Sequence, residues 1–496
     1  MFIKELDCEV FKNINCKNLP SLRRNIVYQF LYELLIVFIP LFTIPYVSRV
    51  LGAENIGLFS YTYAVANYFV LFANLGIKNY GSRTIAMVRN NKEELNRNFS
   101  EILSIHIIFS IIVIFVYLVL LFFFVEDNLV IFLIQSIYVF AAVFDINWFF
   151  FGIEKFKLTV GRNTLVKILS VFLVLVFVKT QTDLWIYALI LALSVFVGQS
   201  VVWFALKQYV SWRRPSWANM KQHIRPLFVL FLPILALSLY KYMDKIMLGS
   251  ISSNVQVGFY ENAEKIINVP MSLIMAFGVV LMPRIANMVT SKDKGEVFKL
   301  IDMSMEAVML LAIAISFGLA GISFVLAPIF FGYEFEECGI LIMGLAVTVP
   351  FMAFANVIRT QYLIPYKEDK IFVVSLFLGA AVNLIVNIIL IPYMAARGAV
   401  IGTIFAEIIV CIYQSYFVRK KFFIKKYLLN TIPPILIGIV MFVFVFQIGN
   451  VMNINIVTLI LQLVVGMFIY AVGVFLLMLK SRTRLMVLLR KFVVRY

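Results

Sequence analysis

The chain has 496 residues, of which 63% are hydrophobic, 16% aromatic and only 14% charged, with a mean hydropathy of +0.98. One soluble core cannot hide that much apolar surface, so the composition excludes a water-soluble domain and leaves a polytopic α-helical membrane protein. A formal net charge of +17 would suit a nucleic-acid binder only if the basic residues gathered on one soluble face.

In chain order, residues 1–24 lack an apolar run long enough for a signal-peptide core and are expected to stay attached as a cytoplasmic tail. Beyond them, apolar runs of about 20 residues, the length that crosses a bilayer, recur at 25–46, 57–79, 99–124, 129–151, 164–179, 184–206, 227–248, 257–283, 300–330, 340–363, 371–391, 398–417, 430–449 and 454–479. Fourteen spans put both termini on one side. The chain then divides into an N-lobe of six spans (25–206), an interfacial linker (207–226), a C-lobe of six (227–417), two appended spans (418–479) and a basic tail (480–496). Cys8, Cys16, Cys338 and Cys411 are scattered, with neither metal spacing nor a disulfide framework.

Charge placement supports this count. With the N-terminus inside, only Arg49, Lys179 and Arg397 lie in outer loops, and Lys167, Lys241, Lys245, Lys265 and Arg359 lie in spans; the other 35 of the 43 basic residues are cytoplasmic. The positive charge is therefore a topology signal with affinity for anionic headgroups, and no nucleic-acid partner is expected. Two inner segments, "SWRRPSWANMKQHIRP" (211–226) and "RTRLMVLLRKFVVRY" (482–496), read as headgroup anchors.

The halves repeat. "RVLGAENIGLFSYTYA" (49–64) matches "KIMLGSISSNVQVGFYENA" (245–263) in the order Leu-Gly, polar turn, Gly-apolar-aromatic, offset by about 200 residues. Six spans per half preserve membrane orientation, so the repeats are parallel. Gly52, Gly57, Gly249 and Gly258 are expected to bracket tight helical hairpins. Pro40, Pro45 and Pro233 remove helix hydrogen bonds from the first span of each half and permit bending.

Charged residues inside spans are the candidate functional groups, because each costs about 2.5–3.5 kcal/mol to insert even on the lenient scale. Lys241, Asp244 and Lys245 are spaced i, i+3, i+4 and are expected to share a helix face opposite Glu261, Glu264 and Lys265 of the next span. Two readings fit: ion pairs that pin two helices, or a hydrated cavity whose cations exchange an internal carboxylate for a substrate phosphate. The cavity reading is the working expectation. Arg359 is the isolated anion-binding candidate, its guanidinium matching phosphate bidentately. Arg49 closes the first span at the outer end of the cavity. Glu33, Asp145 and Glu407 are candidates for coupling to a proton or sodium ion, although bonds to neighbouring helices account for Asp145 and Glu407 more simply. His106 reads as a packed polar residue.

No phosphate-binding Gly-Lys-Ser/Thr loop and no zinc-type histidine spacing is present, so neither ATP-driven pumping nor enzymatic chemistry is expected, and no cofactor. Short outer loops leave little room for a catalytic domain.

The run "PLFTIPYVSRVLGAENIGLFSYTYAVANYFVLFANLGIKNYGSRTIAMVR" (40–89) resembles the opening of Wzx-type polysaccharide repeat-unit flippases. So do "DKIMLG", "VGFYENAEKIINVP" and "LMPRIA" within 244–286, while "FDINWFFFGIEKFKLTVGRN" (144–163) resembles the family's fourth helix and following loop and "LGAAVNLIVNIILIPYMAARGAVIGTIFAE" (378–407) its eleventh and twelfth helices. The resemblance covers about residues 24–420. It implies the multidrug/oligosaccharidyl-lipid/polysaccharide exporter fold, MATE-like, with two six-helix lobes around a central cavity. It also implies an undecaprenyl-diphosphate-linked oligosaccharide as cargo, turned from inner to outer leaflet of the bacterial plasma membrane, with its polyprenyl tail left in lipid. Membrane lipids and a polysaccharide polymerase with its chain-length machinery are the implied partners. The family pattern points best to Arg49 and the Asp244–Lys245 pair. A cation-coupled drug or metabolite antiporter of the same fold, a lipid II-type flippase and a non-transporting assembly scaffold remain as alternatives.

Overall fold

The computed structural model describes the backbone of residues 19–290 and 294–480, with side chains from Ile39 onward apart from isolated positions. The elements are α1 (Leu19–Asn74), α2 (Ile77–Val88), α3 (Lys92–Phe124), α4 (Leu129–Val143), α5 (Asn147–Gly152), α6 (Phe156–Phe177), α7 (Leu184–Leu206), α8 (Trp217–Ile251), α9 (Asn254–Thr290), α10 (Lys294–Phe331), α11 (Cys338–Ala346), α12 (Thr348–Ile358), α13 (Asp369–Met394), α14 (Ala396–Val418), α15 (Ile424–Val451) and α16 (Ile456–Lys480). No strand occurs among the described residues. Among the described residues, thirteen stretches are long and apolar enough to cross a membrane; one of them, Ile39–Val88, holds the end of the first predicted span (25–46) and all of the second (57–79), so the thirteen correspond to the fourteen spans read from the sequence.

The sequence predicts a loop between spans one and two, but the chain instead breaks at a single residue. Gly52 adopts φ 77°, ψ 173° inside α1, a conformation that a Cβ would oppose. The amide freed at the start of the second arm, Ala53 N, donates to Glu334 Oε1 from beyond α10 at 2.8 Å. Two hundred residues on, the repeat breaks at Ser252–Ser253, where the Ser253 hydroxyl accepts from Gln256 N at 3.4 Å at the start of α9. The other three repeat glycines need a different reason from the turn expected of them. Gly57 and Gly258 are contact points between helices, and Gly249 lies against the ring of Tyr61.

The N-lobe is built from α1 with α3, α4, α6 and α7; the C-lobe is built from α8–α14, with α13 and α14 forming a hairpin against α8. Across the lobes, α1 packs on α9 and α8. Association inside lipid gains little from the hydrophobic effect, so close backbone approach at small residues has to supply it. The appended pair α15–α16 packs on α10. One helix belongs to both lobes. Met220, Leu227 and Phe231 at the foot of α8 enter the N-lobe cluster of Phe99, Trp148 and Phe149, whereas Leu248 at its head is buried in the cluster that holds the C-lobe together. Pro233 sits between foot and head.

Candidate functional site

The charged faces of α8 and α9 meet at the lobe interface. Lys245 Nζ lies 2.5 Å from Glu261 Oε2 and 2.8 Å from Glu264 Oε2, and Lys265 Nζ lies 3.1 Å from Glu261 Oε1. The four charges cancel formally. Lys245 is nearly enclosed, but the Glu264 and Lys265 side chains retain 26% and 32% exposure, so the cluster has an open edge. That edge faces the N-lobe. Lys265 and Asn262 reach a mainly apolar pocket of about 80 Å³ whose polar lining also includes Thr43, Ser48, Ser60 and Tyr187, and Asn262 Nδ2 donates to Ser48 Oγ at 2.9 Å.

Lys241 is exposed, with no carboxylate within salt-bridge distance among the described residues; its ammonium lies 5.3 Å from the Tyr242 ring. Tyr242 meets Tyr68 of α1 edge-on at 5.9 Å. The N-lobe wall continues through Phe59, Tyr63, Tyr138 and Tyr187, with ring centroids 4.9–5.7 Å apart. The sequence reading passed over this wall, although "YTYAVANY" (61–68) carries two of its tyrosines, Tyr63 and Tyr68.

Asp244 departs from the expected cluster. Successive helix residues point about 100° apart, so when Lys245 turns to α9, Asp244 turns into the C-lobe. It is 4% exposed. Asn387 Nδ2 donates to Oδ1 at 2.5 Å; the hydroxyls of Tyr260 and Thr403 lie 2.6 and 3.0 Å from Oδ2. All three partners are neutral. The three donors replace the water that burial removes from the carboxylate. Asn387 Oδ1 is also buried, against Gly402, and without a donor among the described residues; the carboxylate, the two hydroxyls and this amide oxygen are donors of the kind a hard cation such as sodium takes.

Arg359 is not brought to the cluster either. It opens a π turn, Arg359–Leu363, donates from Nη2 to Asn356 Oδ1 at 2.6 Å, and stacks 5.4 Å from Phe372. Glu407, within electrostatic reach of that guanidinium, is buried on α14 one turn beyond Thr403, the residue that binds Asp244. Arg49 lies at the outer seal, where it donates to the Ile329 carbonyl. Asp145 accepts from the backbone and side chain of Asn147 at 3.0 and 2.7 Å, in a network with Gln199 and Arg162. The Glu33 side chain lies outside the described residues.

A second buried ionisable group went unread in the sequence. His223 at the foot of α8 lies 2.9 Å from Glu101 Oε2 and 2.6 Å from the Tyr80 hydroxyl, and Asn219 Nδ2 donates to Glu101 Oε1 at 3.1 Å. The linker before it is bound to α3 as well, through Ser211 N to Asn96 Oδ1 at 3.0 Å and Arg213 N to Ser100 Oγ at 2.9 Å. This segment is therefore tied to the N-lobe, in addition to carrying the tryptophans read as headgroup anchors.

Two matched helical bundles, packed together at one end and enclosing charged groups among apolar helices, define a two-lobed, multi-pass helical protein of MATE-like fold. The chain belongs to the polysaccharide biosynthesis protein family, whose pattern it matches over residues 22–289. It is 24% identical to a putative O-antigen transporter of Shigella dysenteriae, covering 79% of this chain and 99% of that one, and 26% identical to its counterpart in Escherichia coli K12, covering 82% and 98%. In structure it is similar to the lipid II flippase MurJ in an inward closed conformation, with a TM-score of 0.71 at 16% identity over 90% of this chain and 97% of that one. An inward-facing multidrug resistance MATE transporter superposes at a TM-score of 0.59 and 15% identity, over 79% of this chain and 97% of the other.

Proposed function

We propose that the protein carries an undecaprenyl-diphosphate-linked oligosaccharide repeat unit from the inner to the outer leaflet of the bacterial plasma membrane, with both termini in the cytoplasm, for assembly of a surface polysaccharide. The observation that carries this reading is the open edge of the Lys245–Glu261–Glu264–Lys265 cluster, with unpaired Lys241 beside it, facing a tyrosine wall across the lobe interface. Bringing one charge to the bilayer centre costs about 2.5–3.5 kcal/mol or more, so a diphosphate needs cationic shelter along its path. Lys241 offers charge without a competing carboxylate, and Lys265 is half released. Tyrosine rings present an apolar face and a hydroxyl to a sugar whose own surface alternates C–H and O–H.

The tail has a separate place. An apolar groove of about 840 Å³ runs between α10, α15 and α16 and reaches Pro270 of α9, five residues beyond Lys265. A polyprenyl chain lying there stays in a lipid-like environment while its headgroup occupies the interface. This gives the appended helices a role and leaves the polymerase partner to receive cargo at the outer leaflet.

Asp244 supplies the coupling group in this reading, ahead of Glu33, Asp145 and Glu407, because it is buried, its hydrogen-bond partners are neutral, and no basic side chain lies within salt-bridge distance of it among the described residues. The test is loss of the gene followed by mass spectrometry of lipid-linked glycans. Accumulation of a complete repeat unit on the inner side, with surface polysaccharide missing, is expected. Normal surface glycan with raised dye sensitivity would instead support the antiporter reading, for which the same Asp244 shell is the favouring feature.

A further inference from the structure

We propose that a second groove, on the flank of the C-lobe, is a binding site for an anionic diacyl phospholipid that joins the lobe to the appended helices. The groove lies between α10, α12, α14 and α15, holds about 650 Å³, and is lined by apolar side chains that include Phe317, Phe354, Ile412 and Leu428. It runs along α14 from Ile408 to Arg419, about 16 Å at 1.5 Å per residue. That is about half of a 30 Å hydrocarbon core, the depth of one leaflet. One end is apolar and the other is basic.

At the basic end the Arg419 guanidinium lies over the Tyr416 ring, 3.8 Å from its centroid. A guanidinium held there by its face can still offer paired N–H groups to two phosphate oxygens. Arg419 has no carboxylate within salt-bridge distance among the described residues; the nearby acid Asp302 pairs with Lys426 and Tyr427 instead. Lys420, Lys421 and Lys425 are exposed on the same short connection. Basic side chains at the headgroup level above an interhelical groove favour an anionic headgroup over a zwitterionic one. The groove is separate from the charged cluster on α8 and α9 and from the groove of α16, so its occupant is a structural lipid and not cargo.

Native mass spectrometry of the full-length protein, released from micelles doped with equal phosphatidylglycerol and phosphatidylcholine, tests this. The wild type is expected to retain phosphatidylglycerol at least tenfold over phosphatidylcholine. Arg419→Ala, and Ile412→Trp which fills the groove, are each expected to remove that preference, and Lys245→Ala is expected to keep it. Equal retention of the two lipids by the wild type would overturn the proposal. So would a preference that survives both groove variants, or one lost with Lys245→Ala, which would put the lipid in the interlobe site. Should Arg419→Ala fold poorly, Arg419→Gln keeps the stem and the Tyr416 contact and gives the same readout.

Discussion

Gly57 and Gly258, equivalent positions of the two halves, bring α1 and α9 into backbone contact. A Cβ on Gly57 would lie 1.6 Å from the carbonyl oxygen of Asn254, and one on Gly258 would lie 2.1 Å from that of Ala53. No rotamer relieves a clash with a main-chain carbonyl. Beside this crossing, Ala53 N is held by Glu334, Arg397 pairs with Glu337 at 3.4 Å, and Gln256 Oε1 accepts from Ala396 N at 3.1 Å. This end of the lobe interface, the outer one in the proposed topology, is closed by the two repeats themselves.

Gly57→Ala and Gly258→Ala are therefore expected to disfavour this closed arrangement. Overpacking costs about 1–3 kcal/mol, which shifts a two-state equilibrium by about 5- to 150-fold. A cysteine placed at Ser60, in a background with the native cysteines replaced, should react faster with an impermeant thiol reagent added outside, and glycan export should fall. Unchanged reactivity in both variants would show that the crossing is not the outer gate.

The ion cluster makes stability and transport separable. Lys245→Ala leaves Glu261 and Glu264 without their main counter-charge, and breaking a buried pair from one side costs about 3–5 kcal/mol. Lys245→Met combined with Glu261→Gln should restore much of the thermal stability while export stays impaired. Lys241→Ala touches no ion pair, so melting should move by no more than about 0.5 kcal/mol as export drops. Full export by the double variant would make the cluster a helix clamp and nothing more.

Much of this was legible in the sequence, and the misses have physical causes. Hydropathy located the spans because the bilayer imposes a length on them, and the 200-residue offset located the repeat through its glycines. Gly52 makes the expected break, but Gly57, Gly249 and Gly258 are packing contacts; a turn and a close approach both require the missing Cβ, and only packing distinguishes them. Asp244 was grouped with Lys245 because the i, i+3, i+4 rule relates each of them to Lys241, while the two themselves diverge by about 100°. Its partners Asn387 and Thr403 stand 143 and 159 positions away, a pairing that no local pattern encodes. The basic, Trp-containing linker hid His223 for a similar reason: its partner Glu101 lies 122 residues earlier.

Asp244→Asn removes the charge and nearly preserves the shape. Without sodium, the variant should be about as stable as the wild type, because an amide of the same shape can keep hydrogen bonds to Asn387, Tyr260 and Thr403. Sodium at a hundred times its dissociation constant should stabilise the wild type by about 2.7 kcal/mol and the variant not at all. Export by the variant should lose its response to the ion gradient. A variant that keeps both sodium responses would remove Asp244 from the coupling role.

The Glu101–His223 contact bears on how the two ends of α8 communicate. Its foot is held to α2 and α3 through Tyr80, Glu101 and the apolar contacts of Leu227 and Phe231, whereas its head carries Lys241, Asp244 and Lys245. Glu101→Ala takes the carboxylate from both His223 and Asn219 and leaves buried donors unsatisfied, at a cost of about 1–3 kcal/mol for a neutral group. Hydrogen exchange should rise over residues 217–231 and across α2, while residues 244–251, anchored by Asn387 and Thr403, keep their protection. Export should fall, because a foot released from the N-lobe no longer moves the charged head with it. Equal loss of protection along the whole of α8 would mean that the helix responds as one rigid rod and that the His223 contact serves global stability alone.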